Sequence, residues 1–308
     1  MNLALASTVL MIRPNYFEYN SGTAASNSFQ NKINNLSPEE TRRAAIDEFD
    51  NFVALLEAWD IEVIVFEDSP IPLKPDAVFP NNWISTHYNG WLLTYPMLEV
   101  SRRKEQRSDI IQALVEKYGY VHRNDLKQLE AEEIFLEGTG SLVLDRSLKV
   151  AYAAVSPRTH PNALQRWAEL TGFSYLSFHT EDMKGKAIYH TNVMMSIAGE
   201  LVLLGADCIA DPDRERVVNV LKNYDKKIIY LSNEQVLVHF AANVLGLQNR
   251  NGEKLLVMSS TAKKSLTESQ ISSIQACGFQ ILAAPLNVIE TVGGGSARCM
   301  MAEIVKPI

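Results

Sequence analysis

The chain has 308 residues, 46% of them hydrophobic, and a formal net charge of -7. That is enough apolar material for one large domain or two ordinary ones, and an acidic balance that offers nucleic acid or anionic lipid no broad positive field. Three cysteines without a C-x-x-C spacing exclude a disulfide framework and fit a reducing, cytoplasmic compartment, and no stretch approaches the roughly 18 apolar residues a membrane helix needs.

Strand-like apolar runs alternate with amphipathic helical runs, the pattern of an α/β chain. The N-terminal run, closed by Arg13 and Pro14, lacks the basic start of a signal peptide and reads as a first strand. Ser37-Pro38-Glu39-Glu40 is a capping box with proline at the first helical position, and Phe49, Phe52, Val53 and Leu56 share one face behind it. IEVIVFE, from Ile61, reads as a strand. Ser101 begins a helix ending at Tyr118, with Gly119 placed to close it. Asp211-Pro212 opens another, with Val217, Val218, Leu221 and Tyr224 on one stripe. Thr267 to Gln270 is a second capping box, ahead of Ile271 and Ile274.

A repeat is superimposed on this alternation. PNNWIS at Asn82, EGTGSL at Thr139, YHTNVM at Asn192, AANVLG at Asn243 and GGGSAR at Gly295 recur at intervals of 51 to 57 residues, each a short polar or glycine-rich junction before strand-like runs. A period near fifty, with two or three strands and one helix per unit, predicts a five-unit α/β propeller: one closed domain over residues 1–308. Only thirteen residues follow Gly295, so the N-terminal segment is expected to complete the C-terminal unit and remove the open sheet edges. The alternative is a two-domain α/β chain whose spacing is coincidental.

Junctions converging near an axis would gather Asp76, Asn81 and Asn82 with Glu137, with His190 and Asn192, and with Cys299. Cysteine, histidine and carboxylate are the nucleophile, acid/base and orienter of covalent catalysis. Each has a plainer reading: Cys299 as a small core residue, His190 as a satisfied buried histidine. Glu137 is harder to dismiss, because a carboxylate ending the apolar run Ile134-Phe135-Leu136 must be paired or wet. Cys208 and Cys277 read as structural. Gly293 to Gly295 can bring backbone close to a ligand and aim N–H groups at an anion. Arg298 can assist Cys299 only if neighbouring side chains share a face. Neither metal-ligand spacing nor a complete nucleotide-binding glycine motif occurs, so no metal and no cofactor are expected.

A five-unit α/β propeller with Glu, His and a C-terminal Cys on successive junctions resembles the guanidino-group-modifying superfamily of arginine deiminases, dimethylarginine hydrolases and amidinotransferases, over essentially the whole chain. The resemblance implies Cys299 in GGGSARC as nucleophile, His190 in YHTNV as general acid/base and Glu137 in LEGTG as the carboxylate orienting the histidine. It implies Asp76 in PDAVFPNN as a ligand of the substrate's planar head. SRRKE and SPRTHPNAL are similar to stretches of the dimethylarginine hydrolases whose arginines hold the substrate α-carboxylate, which points to Arg158 first and Arg103 second.

Arginine-processing members carry further carboxylates where this chain has Asn82 and Asn192. Asparagine, donor and acceptor in one group, can pair with a neutral urea-like head instead, and FPNNW and HTNVMM are similar to the citrulline-utilising branch. The expected activity is hydrolysis of the ureido group of citrulline or a near relative through a covalent S-linked intermediate. Arginine deiminase or dimethylarginine hydrolase chemistry comes second and amidino transfer third. A non-catalytic protein of the same fold, such as a ribosome anti-association factor, is the contrasting class. The expected partner is an amino-acid-like small molecule, neither nucleic acid nor membrane. Specificity beyond the planar head is expected in the Asn- and Ser-rich segment 16–36. Oligomeric state is not readable.

Overall fold

Side-chain caps set several helix starts in the computed structural model, which describes residues 5–24 and 26–308. Ser37 Oγ accepts from Glu40 N while Glu40 Oε2 accepts from Ser37 N at 2.8 Å, and the helix Pro38–Ala58 follows, burying Ala45, Phe49, Phe52 and Leu56. Thr267 and Gln270 make the same reciprocal pair ahead of Glu268–Ala276. The helix Asp211–Asn223 buries Val217 and Leu221, but Tyr224 falls at its C-cap and is exposed. The helix expected from Ser101 to Tyr118 is interrupted: Val100–Arg103 forms one turn, and a second helix runs Ser108–Tyr118 before Gly119 closes it at φ 72°. The interruption comes from side chains bonding elsewhere. Arg102 turns into the protein, and Gln106 Nε2 donates to Tyr95 O at 2.6 Å.

The described residues include fifteen strands: β1 (Thr8–Arg13), β2 (Glu62–Glu67), β3 (Ile84–Thr86), β4 (Trp91–Thr94), β5 (Val121–Arg123), β6 (Val143–Asp145), β7 (Val150–Ala154), β8 (Ser174–Phe178), β9 (Met195–Ala198), β10 (Leu201–Leu204), β11 (Lys227–Tyr230), β12 (Leu245–Gln248), β13 (Lys254–Ser259), β14 (Phe279–Ala284) and β15 (Ala302–Glu303). They form five three-stranded sheets, β3-β4-β5, β6-β7-β8, β9-β10-β11, β12-β13-β14 and β15-β1-β2. In every sheet the first pair is antiparallel and the second parallel. A parallel pair needs a crossover, and each is joined through helix. The fifth sheet unites the two ends of the described chain: Val9 pairs with Glu303 and Leu10 with Ala302.

Middle strands such as β7 and β10 are buried along their whole length and read as continuous apolar runs. The junctions lie just before the first strand of each sheet. The turn Pro80–Asn82 precedes β3, Gly138–Ser141 precedes β6 and Thr191–Val193 precedes β9; the second of these packs against both of the others. Among the described residues no helix is long and apolar enough to cross a membrane.

Candidate active site

Two glycines bring three junctions into contact. A Cβ on Gly138, whose φ is +47°, would sit 2.3 Å from Asn81 O; one on Gly140 would sit 2.4 Å from Asn82 Nδ2 and 2.7 Å from His190 Nδ1. Glu137, next to them, is fully buried and fully bonded. Its Oε1 accepts from Leu98 N at 3.1 Å, and its Oε2 accepts from His190 Nε2 at 2.8 Å and from Arg158 Nη1 at 3.2 Å. Because a carboxylate only accepts, Nε2 carries the imidazole proton and Nδ1 is left as the basic atom. Burial would raise Glu137, but Arg158, His190 and Arg102 hold it well below the usual carboxylate range. Burial pushes His190 down to about 4 despite Glu137, so the imidazole is neutral near pH 7.

Cys299 lies in the segment between the helix Asn287–Gly293 and β15 and is 3% exposed. Its sulfur accepts from Asn243 Nδ2 at 3.2 Å and from Asn192 Nδ2 at 3.4 Å. Asp76 Oδ2 accepts from Asn20 Nδ2 at 2.8 Å and Thr23 Oγ1 at 3.2 Å, and lies 3.8 Å from Arg102 Nε. Burial pushes the Asp76 carboxyl up, against the pull of Arg102. Arg102 forks onto Glu105 with two bonds of 2.9 Å, donates to Asn82 Oδ1 at 2.9 Å, and comes within 3.8 Å of Glu137.

Asp76, Asn82, Arg158, His190 and Cys299 line one small cavity together with Arg102, Tyr189, Phe79, Asn27 and Gly293 to Gly295. Three buried polar atoms on these residues have no hydrogen-bond partner: Asp76 Oδ1, Asn82 Nδ2 and Arg158 Nε. Residues 20–24 and 26–30 lie against the cavity. Arg158 Nη2 donates to Ser26 Oγ at 2.7 Å, and Asn27 Nδ2 donates to the carbonyls of Gly293 and Gly294 at 3.3 and 3.4 Å.

Some expected residues lie elsewhere. Arg103 is outside the cavity, donating to Met97 O and Leu98 O and facing Glu130; the inward arginine of the pair is Arg102, because the broken helix turns the first and not the second toward Asp76. Asn192 touches the sulfur but lines a different cavity, which also receives Arg298. Arg298 pairs with Glu303 at 3.1 Å. The glycine run makes room for other groups: Gly294, at φ +64°, lets Asn27 and Gln30 dock, and Gly293 lies against the Phe79 ring. Asn243 carried a signal in its repeat position, the same as that of Asn82 and Asn192. Asn20 and Thr23 carried none, since a polar segment gives no sign of which side chains fold inward. Among the described residues no group of His, Cys, Asp and Glu is placed to hold a metal ion.

Residues 13–306 match the family described as N,N dimethylarginine dimethylhydrolase, eukaryotic. The chain belongs to this family. It is therefore a member of the guanidino-modifying superfamily and a hydrolase of non-peptide C–N bonds. No curated protein sequence matches it. Its fold is shared with the substrate-bound N-terminal domain of ArgZ, an arginine dihydrolase of cyanobacteria, at 17% identity and a TM-score of 0.75, covering 98% of this dimethylarginine dimethylhydrolase family member and 99% of that chain. It is shared with AgrE bound to ornithine and NAD+, at 19% identity and a TM-score of 0.74, covering 98% of this chain and 39% of that one. It is also shared with the dimethylarginine dimethylhydrolase of Pseudomonas aeruginosa complexed with citrulline, at 14% identity and a TM-score of 0.67, covering 97% and 100%.

Proposed function

We propose that this protein hydrolyses the ureido group of a citrulline-like amino acid, with Cys299 as nucleophile, His190 as acid and base, and Glu137 as the group that orients His190. The observation that carries the substrate class is the charge of the cavity lining, which holds one carboxylate, Asp76, and two arginines, Arg102 and Arg158. Glu137 is paired with Arg158 at 3.2 Å and Asp76 lies 3.8 Å from Arg102. A cationic guanidinium entering there meets two arginines already in place. The unpartnered atoms argue the same way: Asn82 Nδ2 and Arg158 Nε are donors and Asp76 Oδ1 is an acceptor. A guanidinium only donates, whereas a ureido group offers one carbonyl acceptor beside N–H donors, so its oxygen suits Asn82 Nδ2 and its nitrogens suit Asp76.

In this reading the neutral His190 takes the thiol proton through Nδ1 as Cys299 attacks the ureido carbon. The imidazolium, stabilised by Glu137, then protonates the departing nitrogen; the S–C bond is formed and the C–N bond broken. Water enters, His190 accepts its proton, and the S–C bond breaks to a carbamate that decomposes to amine and carbon dioxide. Asn243 and Asn192 stabilise the thiolate through their amide N–H groups. Arg158, whose Nη2 bonds only to Ser26 of the covering segment, is suited to the substrate α-carboxylate when that segment withdraws.

The five sheets are proposed to close into a ring, supported by the contacts of β6 and β12 with β9 and of β3 with β15. One observation favours a guanidino substrate instead: Asp76 keeps a free oxygen able to pair with a cation. Incubation with citrulline, arginine and dimethylarginine in turn, assayed for ammonia, ornithine and citrulline, separates the two. Ornithine and ammonia from citrulline support the ureido reading; citrulline from arginine or dimethylarginine, with citrulline itself inert, overturns it.

A further inference from the structure

A second cavity lies at the inner strands, lined by Val143 and Leu144 of β6, Asn192, Met195, Ser196 and Ile197 at β9, Val244 to Gly246 at β12, and Arg298 and Glu303 at β15. It is small and enclosed, with room for little more than a water-sized occupant. Its charge is unbalanced. Glu303 is shared by two arginines, Arg298 Nη2 at 3.1 Å and Arg146 Nε at 3.2 Å, and all three side chains are at least nine-tenths buried. Asp145, the nearest carboxylate along the chain, is taken by Lys226. Two guanidiniums on one carboxylate leave one positive charge in a region of low dielectric, where an uncompensated ion is costly. Three unpartnered polar groups point to an occupant, one of them the acceptor Asn192 Oδ1 of a lining residue. Ser196 Oγ is buried without a partner and its residue lines the cavity; Arg146 Nη2, on the arginine that Glu303 joins to it, is also unpartnered. The remaining side chains of the wall are apolar except Asn192.

We propose that this cavity is a binding site for one small monovalent anion of halide size, held by Arg298 and Ser196 Oγ and balancing the Arg146–Glu303–Arg298 cluster. It is separate from the cavity that holds His190, although Asn192 lines it while donating to the Cys299 sulfur. Sulfate and organic anions are too large to enter.

The test is a bromide soak of crystals of the full chain, read by anomalous scattering, with thermal unfolding in chloride against gluconate at constant ionic strength. A bromide peak between Arg298 and Ser196, and a melting temperature that rises with chloride to a plateau, are expected. Ser196→Val, which removes the hydroxyl and fills the space, is expected to abolish both while remaining folded; Arg298→Met serves the same purpose should the valine not fold. No peak in the wild-type cavity, or a chloride response that is linear and unchanged in the variant, overturns the proposal.

Discussion

Asn243 donates from Nδ2 to the Cys299 sulfur at 3.2 Å and to the carbonyl oxygen of Asn192 at 3.0 Å, so one side chain ties the candidate nucleophile to the third junction. The buried sulfur accepts from two amide groups, Asn243 Nδ2 and Asn192 Nδ2. Asn243→Ala removes one donor and leaves Asn192 O unpaired, a loss on the order of 1–3 kcal/mol. Alkylation of Cys299 by iodoacetamide at neutral pH is expected to slow about tenfold. An unchanged rate would separate the asparagine from the sulfur's reactivity.

His190 makes a pH prediction. Its pKa is pushed from 6.5 down to about 4 on folding, by burial, so the unfolded chain binds the proton first as pH falls. Stability is therefore retained above about 6.5 and lost between there and 4, by no more than about 3 kcal/mol from this group. His87, pushed down to about 3 by burial, adds to the same acid limb. His190→Gln is expected to reduce proton uptake on unfolding by up to one proton, measured from urea midpoints across pH, while leaving the contribution of His87.

Arg102 contributes a positive charge to the cavity lined by Asp76, His190 and Cys299. Arg102→Gln leaves Asp76, Glu105 and Glu137 with one cation fewer, and breaking a buried pair costs about 3–5 kcal/mol. Its preference should shift toward cations: protection of Cys299 from alkylation by arginine is expected to improve relative to protection by citrulline. Equal changes for both ligands would indicate general loosening of the site.

Gly140 tests the packing of the junctions. A methyl there meets Asn82 Nδ2 at 2.4 Å and His190 Nδ1 at 2.7 Å, and both side chains are held by bonds to other groups. Gly140→Ala is expected to displace the imidazole and lower kcat about a hundredfold. Near-wild-type kcat would show that the ring has room to give.

The repeat was legible because each junction must present polar or small residues at the same point of a sheet, and Asn82, Asn192 and Asn243 occupy equivalent places before β3, β9 and β12. Caps at Ser37 and Thr267 were legible because they act over three residues. The exchange of Arg103 for Arg102 was not: a helical pattern continues smoothly through SRRKEQR, and only the bonding of Gln106 and Glu105 in three dimensions breaks it. The covering role of Asn20, Ser26 and Asn27 was equally hidden, since their partners lie 56 to 267 residues away.

The pairing of β15 with β1 has a consequence for the segment between the helix Asn287–Gly293 and β15. Cys299 stands three residues before β15, so the pairing of β15 with β1 holds the segment that carries the sulfur against a strand nearly three hundred residues away along the chain. Loosening of that pairing is therefore expected to free the segment that carries the sulfur while the other four sheets keep their own strand pairs.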